Sequence, residues 1–122
     1  LDESCFLEGR TDNVAEKYVE NSVFVLSSRF EGFAMVIAEA MACGTPCIST
    51  DVGDAKDIVD KYGWIVPAGN SVKLAEAITV ALNELQSKPT EWYVRKKGCI
   101  MHIQNNFDIY TMLRNFHYVW YK

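Results

Sequence analysis

Apolar residues in this chain fall into short runs and helical stripes, separated by polar or glycine-bearing turns. Val23-Phe24-Val25-Leu26 is a compact apolar run, as a buried parallel strand requires. Cys47-Ile48-Ser49-Thr50 and Trp64-Ile65-Val66 read as two further strands, and residues 4–7 as a short strand near the start. Asn13 followed by Glu16 has the form of a capping box and predicts a helix to about residue 20. Residues 33–43 are apolar almost throughout and predict a buried helix, stopped by Gly44 and Pro46. Residues 54–62 predict a short helix. Asn70 caps a longer one, with Leu74, Ile78, Leu82 and Leu85 on one stripe. Pro89 suits the first turn of another, with Trp92, Cys99 and Ile103 roughly on one side. Asp108 caps a last helix carrying Ile109, Met112, Leu113, Phe116 and Trp120. Strands alternating with helices predict an α/β fold: a Rossmann-like parallel sheet flanked by helices, with a helical C-terminus.

The totals narrow the function classes. A chain of 122 residues is long enough for one domain with a modest core. A net charge of −4 argues against non-specific nucleic-acid binding. No apolar run reaches the roughly 20 residues of a membrane span, and the N-terminus, Leu-Asp-Glu-Ser-Cys, has no signal-peptide character. The expected setting is the cytoplasm. Cys43 and Cys47 flank Gly-Thr-Pro at a helix-to-strand turn with no His nearby. Small apolar residues in a reducing compartment explain them better than a metal site or disulfide.

Glu31 and Glu39 hold the candidate chemistry. They stand eight residues apart, and no other charged residue lies between Gly32 and Asp51. A carboxylate on so apolar a helix is costly unless something polar meets it, and the economical explanation is a ligand. In an open parallel sheet, ligands sit beyond the C-terminal ends of the strands, and residues 27–33 follow one such end. Gly32 lets backbone approach a ligand closely. The free N–H groups of residues 33–36 begin the helix and suit a diphosphate. Eight helical residues rise about 12 Å, which would set the two glutamates on similar faces at about the span of a diphosphate with a sugar on either side.

The surrounding blocks are specific. Ser-x-x-Glu-Gly-Phe occupies residues 28–33, and Glu-Ala-Met-Ala-Cys-Gly-Thr-Pro occupies 39–46. Thr-Asp-Val-Gly-Asp-Ala follows at 50–55 and Gly-Trp-Ile-Val-Pro at 63–67. In order and spacing, from about Phe6 to Ala81, this resembles the Glu-x7-Glu signature of retaining GT-B-fold glycosyltransferases of the large group 1 family. The resemblance implies that residues 1–122 form part of the C-terminal, nucleotide-sugar-binding domain, ending in helices over about 89–121. It implies transfer of a sugar from a nucleotide-sugar donor to a hydroxyl acceptor with retained configuration, for polysaccharide, glycan or glycolipid synthesis. Glu31 would be the catalytic residue and orient the donor sugar. Gly32, Phe33, Ala34 and Met35 would contact sugar and phosphate, and Glu39 would hold the ribose. No cofactor or metal is implied. A glycan or lipid-linked acceptor would bind mainly on an N-terminal domain, with peripheral membrane association left open.

Two segments of the family's opening strands, Gly-Arg-Leu and a Lys-Gly pair, whose Arg and Lys bind the diphosphate, do not occur ahead of Val23, and the one Lys-Gly pair in the sequence, Lys97-Gly98, stands far downstream of that place. The chain is therefore expected to be a piece of an enzyme and inactive alone. Strands that the family inserts before Val23 would leave that strand with an open edge, so self-association is expected unless residues 4–7 cover it. Asp51 and Asp54 flank Val-Gly where the family has two glycines, and are expected to shape the loop. Arg95-Lys96-Lys97 reads as a solvated helix face, His102 and His117 as inert, and the aromatic end at 116–121 as core. The alternative reading is a non-catalytic nucleotide-binding or scaffold module of the same fold. A flavodoxin-like signalling domain is disfavoured because Leu7-Glu8-Gly9-Arg10 offers no acidic cluster.

Overall fold

The structure is a computed structural model that describes residues 3–32 and 34–107. Helix α1 spans Val14–Glu20, strand β1 Phe24–Leu26 and helix α2 Met35–Ala42. Strand β2 spans Cys47–Thr50, and helix α3, Ala55–Val59, runs on into a 3-10 turn at Asp60–Tyr62. Strand β3 is Trp64–Val66, and two long helices follow, α4 at Ser71–Ser87 and α5 at Pro89–Asn106. The expected last helix from Asp108 and the aromatic end lie outside the described residues.

The three strands form one parallel sheet in the order β1-β2-β3. Val25 aligns with Ile48, and Ile48 with Trp64. Every residue of β2 is buried because it is the central strand. Cys47 faces a cluster with Ile37, Met41, Ile58, Cys99 and Ile103. Ile48 faces the other way, towards Val66, Ala77, Ala81 and Trp92. Helices thus cover both faces, as parallel sheets require.

Local chemistry accounts for most boundaries. The Asn13 side chain accepts from the Glu16 N–H, but the reciprocal half of the capping box is absent. The Asn13 N–H instead reaches Thr11 Oγ1 at 3.1 Å. Gly44, at φ +80°, takes the left-handed conformation that ends α2, and its N–H closes onto the Met41 carbonyl. Asn70 caps α4 by accepting from Lys73 N–H at 3.0 Å.

Four expectations need correction. Residues 4–7 form no strand: Phe6 is 80% and Leu7 88% exposed. A strand this short needs a partner for its backbone groups, and residues 4–7 do not pair with β1. β1 itself is only partly buried because one of its edges is open. On α4 the buried positions are Ala77 and Ala81, with Leu74, Ile78 and Leu85 flanking them and Leu82 exposed. Small residues let that helix sit close to the sheet. Arg95 is not on a solvated face. Its guanidinium grips Glu84 with two bonds, at 2.8 and 3.0 Å, and lies 4.4 Å from the Trp64 ring centroid. No helix of the described residues is long and apolar enough to cross a membrane.

Candidate functional site

Parallel strands deliver their following loops to one rim of the sheet. The loop after β1 and the loop after β2 therefore meet, and between them lies a cleft of about 540 Å³. Arg29, Phe30, Glu31 and Gly32 line it from one side, and Asp51, Val52 and Gly53 from the other.

Main chain holds the two loops together. The Asp54 N–H donates to the Gly32 carbonyl at 3.2 Å. Gly53 sits at φ +50°, and a Cβ there would collide with the carbonyl oxygens of Glu31 and Gly32. Only glycine fits, for conformation and for space. Below the rim, Thr50 Oγ1 donates to the Ser28 carbonyl at 2.6 Å, tying the start of the first loop to β2. Ser28 Oγ in turn donates to Glu31 Oε1 at 2.9 Å, which orients that carboxylate at the surface.

Glu31 and Glu39 do not lie on one helix face. Helix α2 begins at Met35, after an N-cap at Ala34 that has no side-chain cap bond. Glu31 and Gly32 belong to the loop before the helix, tied to the second loop by the bond from the Asp54 N–H to the Gly32 carbonyl. Glu39 is half-buried, four residues into α2, about 6 Å of rise from Met35, and is not part of the cleft lining. Ala34 is buried and Met35 half-buried; Phe33 lies outside the described residues. The N–H groups of Met35 and Val36 precede the first internal bond, Ile37 N–H to Ala34 carbonyl at 3.0 Å. The candidate residues thus fall in three parts along the chain: a loop carboxylate that lines the cleft, an uncapped helix start, and a second carboxylate one turn further on that does not line it.

Glu39 also has a polar neighbour within the chain. Tyr18 of α1, 8% exposed, donates its phenol to Glu39 Oε2 at 3.3 Å. Burial, then the charge of Glu39, pushes the Tyr18 pKa up to about 12, so the phenol stays a donor throughout the physiological range. Burial and Glu39 likewise push the Cys43 thiol up. The polar group that the apolar helix demands is therefore supplied in part by Tyr18.

Sequence reasoning missed Tyr18, Arg29 and the role of Gly53. The parallel order of β1 and β2 was the signal for Gly53, since it brings Thr-Asp-Val-Gly opposite Arg-Phe-Glu-Gly. Nothing in the sequence singles out Tyr18 from other aromatic residues on helices. Cys47 and Cys99 are buried, and their thiols are pushed up by burial, Cys99 to about 11 and Cys47 well above the usual range. Among the described residues no three His, Cys, Asp or Glu side chains converge on a site that could hold a metal ion.

Known proteins resemble this chain in sequence and in fold. N-acetyl-alpha-D-glucosaminyl L-malate synthase of Bacillus anthracis is 38% identical over 70 residues, covering 56% of this chain and 18% of that protein. The GDP-mannose-dependent alpha-mannosyltransferase of Mycobacterium tuberculosis is 34% identical over 76 residues, covering 60% of this chain and 20% of that protein. The chain thus spans about a fifth of the length of these relatives. The structure of sucrose-phosphate synthase from Thermosynechococcus elongatus superposes with a TM-score of 0.70 at 29% identity, covering 85% of this chain and 26% of that one. The family described as "Glycosyl transferases group 1" matches residues 1–84. With that match over most of its length, and with a Rossmann-like sheet carrying its cleft at the strand C-termini, this chain belongs to the group 1 glycosyl transferases, whose fold is GT-B.

Proposed function

We propose that this chain forms the donor side of a retaining glycosyltransferase. It binds a nucleotide-diphosphate sugar, from which the protein carrying the chain transfers the sugar to a hydroxyl acceptor in glycan, polysaccharide or glycolipid synthesis. One observation carries the reading: the cleft at the strand C-termini adjoins the uncapped start of α2, with half-buried Glu39 one turn beyond.

The donor sugar lies against Gly32, with Glu31 orienting its hydroxyls. The diphosphate takes the N–H groups of residues 33–36, where the helix start favours negative charge. Glu39 accepts hydrogen bonds from the ribose hydroxyls. The phosphate leaves on the face that the acceptor attacks and receives the acceptor's proton, so configuration is retained without an enzymic nucleophile. The donor class draws support from a relative whose name states dependence on GDP-mannose.

Glu39→Gln tests the reading in the protein that carries this chain. Loss of charged hydrogen bonds should weaken nucleoside-diphosphate binding by about 1.5–3 kcal/mol in titration calorimetry across the uridine, guanosine, adenosine and thymidine series. Unchanged affinity for all four would put Glu39 outside the site and remove the basis of the proposal.

A further inference from the structure

The Tyr18–Glu39 contact joins two helices that are adjacent in the fold but separated by a strand. Tyr18 is held at both ends. Its carbonyl accepts from Thr45 Oγ1 at 2.6 Å, a buried bond to the turn after α2, and from Asn21 N–H at 3.3 Å. Its ring packs edge-on against Phe24 of β1 at 5.5 Å between centroids. The phenol therefore reaches Glu39 from a fixed position, with little rotamer freedom to lose.

A carboxylate offers two oxygens and about four acceptor directions. Tyr18 takes one direction on Oε2, and among the described residues no hydrogen bond to Oε1 is made. Glutamate on a helix has several accessible rotamers. A bond from a rigid, buried donor selects among them before any ligand arrives, which is how pre-organisation raises affinity. Resting on the reading of Glu39 as the ribose contact, we propose that Tyr18 is the positioning residue of the site: it locks the Glu39 carboxylate with one oxygen turned to the vicinal hydroxyls of the nucleotide.

The phenol can do this at any physiological pH, because it loses its proton only near pH 12. Tyr18 touches Glu39 rather than the ligand, so the signature of its loss is a change in how well Glu39 discriminates among sugars, beyond any general weakening.

Three variants of the protein that carries this chain decide the matter: Tyr18→Phe, Glu39→Gln and the double substitution. Phenylalanine retains the ring packing on Phe24, and thermal unfolding checks that each variant folds. The probes are the preferred nucleoside diphosphate and its 2′-deoxy analogue, titrated by calorimetry. Tyr18→Phe should weaken the ribonucleotide by about fivefold, less than a direct charged hydrogen bond would give. It should narrow the gap between ribo- and deoxyribonucleotide, and it should add nothing in the Glu39→Gln background. If Glu39→Gln weakens binding but Tyr18→Phe leaves both affinity and discrimination intact, Tyr18 is packing alone and the inference falls while the reading of Glu39 stands. If Glu39→Gln changes nothing, the reading of Glu39 fails and takes this inference with it.

Discussion

At the scale of single residues, the sequence made the two glutamates conspicuous because it isolates them in an apolar stretch. It could not reveal what meets them. Glu31 is oriented by Ser28 three residues earlier, a local bond open to sequence reasoning. Glu39 is met by Tyr18, twenty-one residues away, and that pairing depends on how α1 lies on α2. The separation of the two carboxylates also escaped, because the interval between them reads as helical throughout, whereas Glu31 lies in the loop and α2 starts at Met35. The different surroundings predict different phenotypes. Glu31 is exposed and lines the cleft; on the proposed reading it meets the donor sugar, so Glu31→Ala in the protein that carries this chain should lower kcat by about a hundredfold. Affinity for the nucleoside diphosphate alone should change less than twofold. Steady-state kinetics beside nucleotide titration separates the two effects, and a collapse of nucleotide affinity with intact turnover at saturation would reverse the assignment.

At the scale of elements, hydrophobic runs and caps located three strands and five helices to within a few residues. Where they failed, the missing information was tertiary. Residues 4–7 have strand composition but no strand pairs with them. Arg95 has two lysines after it and reads as surface, yet Glu84 of α4 and the Trp64 ring lie within its reach across the α4–α5 contact. With both partners mostly withdrawn from solvent, at 21% and 14% side-chain exposure, the pair is worth more than an open surface bridge. Arg95→Leu strands the Glu84 carboxylate and should cost about 1–2 kcal/mol in urea unfolding. Arg95→Lys should recover only part of that, because an ammonium cannot match the two-pronged grip. Equal stability of all three proteins would mean that the pair contributes nothing.

At the scale of the whole molecule, the order β1-β2-β3 leaves β1 as an edge strand with Val25 39% exposed. The exposed Phe6, Leu7, Val19 and Phe30 add further apolar surface outside the core. An open edge invites pairing with another strand. The 122 residues alone should therefore form concentration-dependent dimers or larger species in light scattering, and should show no sugar transfer when supplied with donor and acceptor. A monodisperse monomer that transfers sugar efficiently would contradict both expectations. This edge was legible in the sequence only through the family resemblance, since nothing in Val-Phe-Val-Leu says which neighbours it lacks.

The interlock of Gly53 with the carbonyls of Glu31 and Gly32 has a consequence for how such a site can change. The bond between the loops is made by main chain, and main chain is the same whatever side chains it bears. Arg29, Phe30 and Asp51 face the cleft from a frame that does not depend on their identity. Substitution at those three positions changes the charge and shape of the cleft without removing the bond between the loops, whereas position 53 admits no side chain. The cleft thus separates a fixed main-chain frame from the side chains that set its chemistry, and on the proposed reading a change of donor preference needs substitutions only in the latter.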